Sequence, residues 1–79
     1  MKKSKIILNL NKIFEEVFSD PSIIITDNLS AKDVDGWDSL SHMILITEIE
    51  NEFSIKFKLK DLNKMKNVGD LITIIDSKL

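Results

Sequence analysis

Apolar residues near the start of this chain recur at the spacing of one helix face. Ile6, Leu10, Ile13 and Val17 follow one another at intervals of four, three and four, and Ile7, Phe14 and Phe18 widen the stripe. Such a period predicts an amphipathic helix over residues 5–18, halted by the turn-forming run Ser19, Asp20, Pro21 and Ser22. A second helix is expected over residues 39–53, with Asp38 as its N-cap. A last helix fits residues 68–78, where Asn67 caps and Asp70, three residues on, completes a capping-box-like start. Between them, residues 59–65 form a short third helix.

Residues 19–37 hold no helical pattern. Ser22 to Thr26 reads as a strand on β-propensity alone, but a lone strand has no partner and is not stable. The segment contains Ile23, Ile24, Ile25, Leu29, Val34 and Trp37, so it is expected to pack on the helices. The expected fold is all-α: a small four-helix bundle, three long helices plus one short, with a long ordered first loop. No internal repeat or low-complexity segment divides the chain, and residues 1–79 read as a single domain.

Seventy-nine residues lie near the lower limit at which an apolar core holds a fold unaided, and there is no cysteine to staple it. Stability must come from buried aliphatics, including thirteen isoleucines. A self-contained catalytic scaffold is cramped at this size, whereas a module that other proteins act upon fits easily. No stretch approaches the roughly 20 apolar residues of a membrane span. The basic start is no signal peptide, because Asn9, Asn11 and Lys12 break its apolar run, so a cytoplasmic, monomeric protein without membrane insertion is expected. Between Ile13 and Ile55 ten acids face one base, Lys32, and all eleven bases of the chain are lysine. An acidic centre without arginine argues against nucleic-acid binding and favours partners with basic patches.

The second helix carries two different faces. Met43, Leu45, Ile46, Ile49 and Phe53 gather on one broad side, the expected core face, with His42 at its edge. Leu40, Ile44 and Thr47 fall on roughly the opposite side, with Glu48 and Asn51 beside them, and form an expected contact surface. Asp33, Asp35 and Gly36 hint at a calcium loop, but the glycine is misplaced and the twelfth-position glutamate is missing.

Ser39 admits three readings. Asp38 already serves as the cap, which leaves the serine surplus to that role. An Asp38–Ser39–His42 triad, encouraged by the likeness of WDSL to an esterase signature, needs an acid on the far imidazole nitrogen and an oxyanion hole. Three residues at one helix start do not supply these, and no G-x-S-x-G elbow is present. In the third reading the hydroxyl is modified, since free N–H groups and the helix dipole at an exposed N-terminus favour a phosphodiester.

The stretch DGWDSLSHMILITEIENEFSIKF, residues 35–57, resembles the acyl carrier protein family, whose hallmark is D-S-L at the start of the second helix. Gly36 and Trp37 before that triplet, Phe53 fourteen residues after Ser39, the NVGDLI opening of the last helix and the helix order extend the resemblance over nearly the whole chain. It implies a non-catalytic carrier whose Ser39 receives 4′-phosphopantetheine from coenzyme A through a phosphopantetheinyl transferase. The arm's thiol then carries an acyl or aminoacyl group as a thioester. Loading ligases and downstream acyltransferases or synthases are the implied partners, recognised through Asp38, Leu40, Ile44, Thr47 and Glu48. Ser41 and Ile44 stand where fatty acid synthesis carriers usually have acids. In this the chain is more similar to free-standing carriers of specialised pathways, including peptidyl carriers and the D-alanyl carriers of cell-wall synthesis. An unmodified interaction domain is a further alternative.

Overall fold

A computed structural model describes residues 2–79; Met1, counted in the 1–79 domain above, lies outside them. Helix α1 spans Lys3–Phe18, α2 Ser39–Phe53, α3 Leu59–Leu62 and α4 Val68–Lys78, with a single 3₁₀ turn at Ala31–Asp33 in the first loop. The all-α, four-helix expectation holds, and α2 and α4 have the expected bounds. Helix α1 begins two residues earlier than expected, because Lys3 and Ser4 present no breaker ahead of the apolar stripe. Helix α3 ends at Leu62, short of the expected Met65. It buries no side chain, so packing does not extend its one turn.

The core is assembled around α1, which packs against both α2 and α4. Ile6, Leu10 and Phe14 of α1 meet Leu45 and Ile49 of α2 and Val68 and Ile75 of α4, all essentially removed from solvent. These spacings of three and four are the reason the helices form where they do: each contributes one apolar stripe to a common interior. Helices α1 and α2 each end on a serine in the left-handed region, Ser19 at φ 51° and Ser54 at φ 56°. Each serine N–H returns to a carbonyl of the last turn, Glu15 and Glu50 respectively, and closes the helix.

The first loop is ordered and contains no strand. Ile23 and Val34 enter the core, and Ile25, Leu29 and Trp37 pack against it, as expected. Ile24 does not: it is 75% exposed, since its neighbours in an extended segment take the inward direction. The loop also caps α4. Leu29 O accepts the Val68 N–H at 2.8 Å and Asp27 O accepts the Gly69 N–H at 2.9 Å. Asn67 Oδ1 accepts the Asp70 N–H at 2.9 Å, so the first three N–H groups of α4 all find acceptors. The capping box expected there is not reciprocal. Asp70 reaches back one residue further and accepts the Lys66 N–H at 3.0 Å, because the Asn67 backbone leaves in an extended direction.

Candidate functional site

Ser39 opens α2, and the residues on either side hold that opening in place. Asp38 Oδ1 accepts the Ser41 N–H at 2.9 Å, while the Ser41 hydroxyl accepts the Asp38 N–H at 2.8 Å. The same hydroxyl donates to Gly36 O at 2.7 Å. Asp38 is therefore the cap, as expected. Ser41 is its reciprocal partner, a role that sequence reasoning missed because the third position of a capping box usually carries Glu or Gln. These bonds from Ser41 hold the Asp38 carboxyl below the usual carboxylate range. Gly36 sits at φ +85°, a conformation that other residues seldom adopt, and it turns the chain so that Trp37 packs inward just before Ser39 faces out.

The Ser39 side chain is exposed and takes part in none of these bonds. Its N–H and that of Leu40 belong to the first turn, where a helix has no acceptor of its own. Beside Ser39 opens a cleft of about 580 Å³, between the start of α2 and the segment leading into α4. Trp37, Met43, Met65 and Leu71 give it apolar walls, and Asp38, His42, Lys66 and Asn67 are its polar members beside Ser39.

Met43 corrects an expectation. Instead of joining the core face it is 52% exposed and edges the cleft. At about 100° per residue it lies more than a quarter-turn from the mean direction of Leu45, Ile46, Ile49 and Phe53, so it flanks the buried stripe. His42 is half-buried where expected, and burial lowers its pKa below the ordinary value. Trp37 Nε1 donates to His42 Nδ1 at 3.1 Å, and the two rings lie edge to edge, 16° from parallel with centroids 6.1 Å apart. No triad forms: the His42 nitrogen that an acid would orient is taken by Trp37, and Asp38 bonds Ser41.

The outward residues separate into two groups. Leu40 at 74% and Ile44 at 49% are exposed, and Thr47 beside them donates its hydroxyl to Met43 O at 3.0 Å. Glu48 is exposed too, but it lines a small recess against α1 with Glu16 and Glu52. Leu40, Ile44 and Thr47 thus form an exposed stripe that runs from the opening of α2 to its middle, with Glu48 one turn beyond Ile44 at the edge of that recess.

Comparison with known proteins identifies the family. The family model described as phosphopantetheine attachment site matches residues 10–75. An acyl carrier protein from an Exiguobacterium species is 32% identical over 79 residues, covering all of both chains. The acyl carrier protein of Thermotoga maritima is 37% identical over 76 residues, covering 82% of this chain and 94% of its own. The holo acyl carrier protein of Geobacter metallireducens, solved by solution NMR, superposes with a TM-score of 0.87 at 51% identity, covering 91% of this chain and 83% of that one. Helical bundle and matched stretch together define a carrier protein of the phosphopantetheine-attachment class. Carriers of this class generally perform no catalysis themselves. The chain belongs to the acyl carrier protein family, and its prosthetic group is covalently attached 4′-phosphopantetheine. No helix among the described residues is long and apolar enough to cross a membrane.

Proposed function

We propose that Ser39 is the attachment residue, and that residues 1–79 act as one carrier domain, monomeric, carrying acyl or aminoacyl groups between enzymes in the cytoplasm. One observation carries the assignment: at the opening of α2 Asp38 and Ser41 do the capping, and Ser39 alone offers a hydroxyl that the fold does not use. The surroundings suit the group. First-turn N–H groups and the helix dipole favour a phosphodiester, and the adjoining apolar cleft has room for part of the arm or its cargo. Because the chain has no cysteine, the arm supplies the thiol on which a thioester is carried.

In the loading step the Ser39 oxygen attacks the pantetheine-bearing phosphorus of coenzyme A within a phosphopantetheinyl transferase. The new bond is serine oxygen to phosphorus, the bond broken is the pyrophosphate P–O bond, and 3′,5′-adenosine bisphosphate leaves while a base on the transferase takes the serine proton. Asp38, Leu40, Ile44 and Thr47 flank the attachment point and form the docking surface for the transferase, the loading ligase and the downstream acyltransferase or synthase. Glu48 belongs to the acidic flank beside it. The exposed Leu40 and Ile44 support a specialised-pathway carrier, with a peptidyl or D-alanyl carrier as the second reading.

Incubation with coenzyme A, magnesium and a broad-specificity transferase, followed by intact-mass measurement, tests the assignment. The mass should rise by one phosphopantetheine in the wild type and in Ser41→Ala, and stay constant in Ser39→Ala. Unchanged wild-type mass with several transferases would sink it.

A further inference from the structure

The assignments so far leave His42 unexplained. It is neither buried in the core nor free at the surface, and the chain has only one histidine and one tryptophan. An indole nitrogen is a donor only, so His42 Nδ1 must be the acceptor of the 3.1 Å bond from Trp37. The neutral imidazole therefore carries its proton on Nε2. Trp37 is itself fixed, edge-on to Phe14 at 5.3 Å and tilted against Phe18 at 5.8 Å. Tautomer and ring orientation of His42 are thus set by a rigid aromatic base.

We infer that His42 is a positioning residue for the prosthetic arm, its Nε2–H donating to a phosphodiester oxygen where the arm leaves Ser39. The inference rests on the Ser39 assignment. His42 follows Ser39 by three residues, the spacing at which helix side chains are neighbours, and both line the same cleft. The Nε2–H has no acceptor among the described residues, whereas the phosphodiester is an acceptor that brings one negative charge next to it. Two other charged groups face the cleft. Asp38, the cap of α2, is engaged by Ser41, and Lys66, in the segment before α4, lies on the opposite wall. A donor whose ring is hydrogen-bonded to a packed indole restricts the first bonds of a flexible arm, so that its distal end is directed along the cleft.

The test uses NMR of the protein labelled with ¹⁵N-histidine, before and after phosphopantetheinylation verified by mass. The Nε2–H tautomer is expected in both forms. On modification the His42 titration midpoint should move upward, because the phosphodiester charge favours the imidazolium. The arm's ³¹P resonance should follow that same titration. His42→Phe keeps an aromatic ring against Trp37 but has no donor, and its ³¹P resonance should become insensitive to pH, with His42→Gln recovering the wild-type shift at neutral pH. A ³¹P resonance that is flat across the His42 titration in the fully modified wild type overturns the inference. So does an Nδ1–H tautomer, and both readings are made on the wild type even where a variant folds poorly. A chain that gains no mass at all refutes the Ser39 assignment instead, and the two failures are distinct.

Discussion

Gly69 lies so close to Asp27 that a Cβ built on it would stand 3.0 Å from the Asp27 carbonyl oxygen, the same oxygen that accepts the Gly69 N–H at 2.9 Å. Alanine there gains helix propensity of roughly 0.5–1 kcal/mol. The clashing atom, however, is backbone held by a hydrogen bond and cannot swing aside as a side chain would. Strain of about 1–3 kcal/mol outweighs that gain. Gly69→Ala should therefore lose about 1 kcal/mol in urea denaturation, and a stabilised variant would show that the loop yields freely.

Ser39 and Ser41 are two residues apart with opposite roles. Ser41→Ala removes a donor to Gly36 O and an acceptor for the Asp38 N–H, and should cost about 1 kcal/mol of stability. Ser39→Ala should stay within about 0.5 kcal/mol of wild type, since its hydroxyl is unused. Equal losses in the two melts would show that Ser39 has a structural share.

Helix α3 is tethered chiefly by charge. Lys78 Nζ lies 2.9 Å from Asp61 Oδ2, and both side chains are largely shielded. Asp61 also accepts the Lys58 N–H at 2.8 Å, and this bond first, then Lys78, holds its carboxyl below the usual range. Lys78→Met should speed amide exchange over residues 59–65 while leaving α1 and α2 protected. High salt should do the same in the wild type. Uniform exchange rates across wild type and variant would mean that the ion pair does not hold α3.

Stability should depend on pH through His42. Its folded-state pKa is depressed by burial, so the unfolded chain binds the proton more readily. Stability then rises with pH, is complete above about 6.5, and is lost as pH falls through the folded value. The urea midpoint should drop across that interval in the wild type, and the drop should shrink in His42→Phe. An identical drop in both proteins would assign the loss to other groups.

Ile44→Glu places an acid on the exposed stripe without entering the core. Unfolding should be unaltered, and the rates at which different loading enzymes use the modified protein should change relative to one another. Unaltered rates with the native partner would remove Ile44 from the docking surface.

Helix ends are legible in the sequence where a side chain marks them. Asp38 and Asn67 announce α2 and α4, and the observed starts agree with both. The end of α3 carries no such mark, and a one-turn helix that buries nothing leaves little pattern to read. Met43 misleads because its apolar character points to the core while its angle on the helix points past it. The capping of α4 by Leu29 O and Asp27 O has no side-chain signature, because any residue supplies a carbonyl. Its one trace is a glycine at position 69, which spacing alone does not interpret. Ser39 stands out in the sequence as surplus to capping, since its neighbour already meets that need, while its proposed role comes from the resemblance of the D-S-L stretch. The cleft beside it is not, because Trp37, Met43, Met65 and Leu71 come from separate segments of the chain.

The single indole of the chain forms part of the cleft wall. Its emission therefore senses the polarity of the space beside Ser39, with no competing tryptophan or tyrosine elsewhere in the sequence. Attachment of a group at Ser39 should therefore shift that emission in the isolated, unlabelled protein, and spectra taken before and after modification check it.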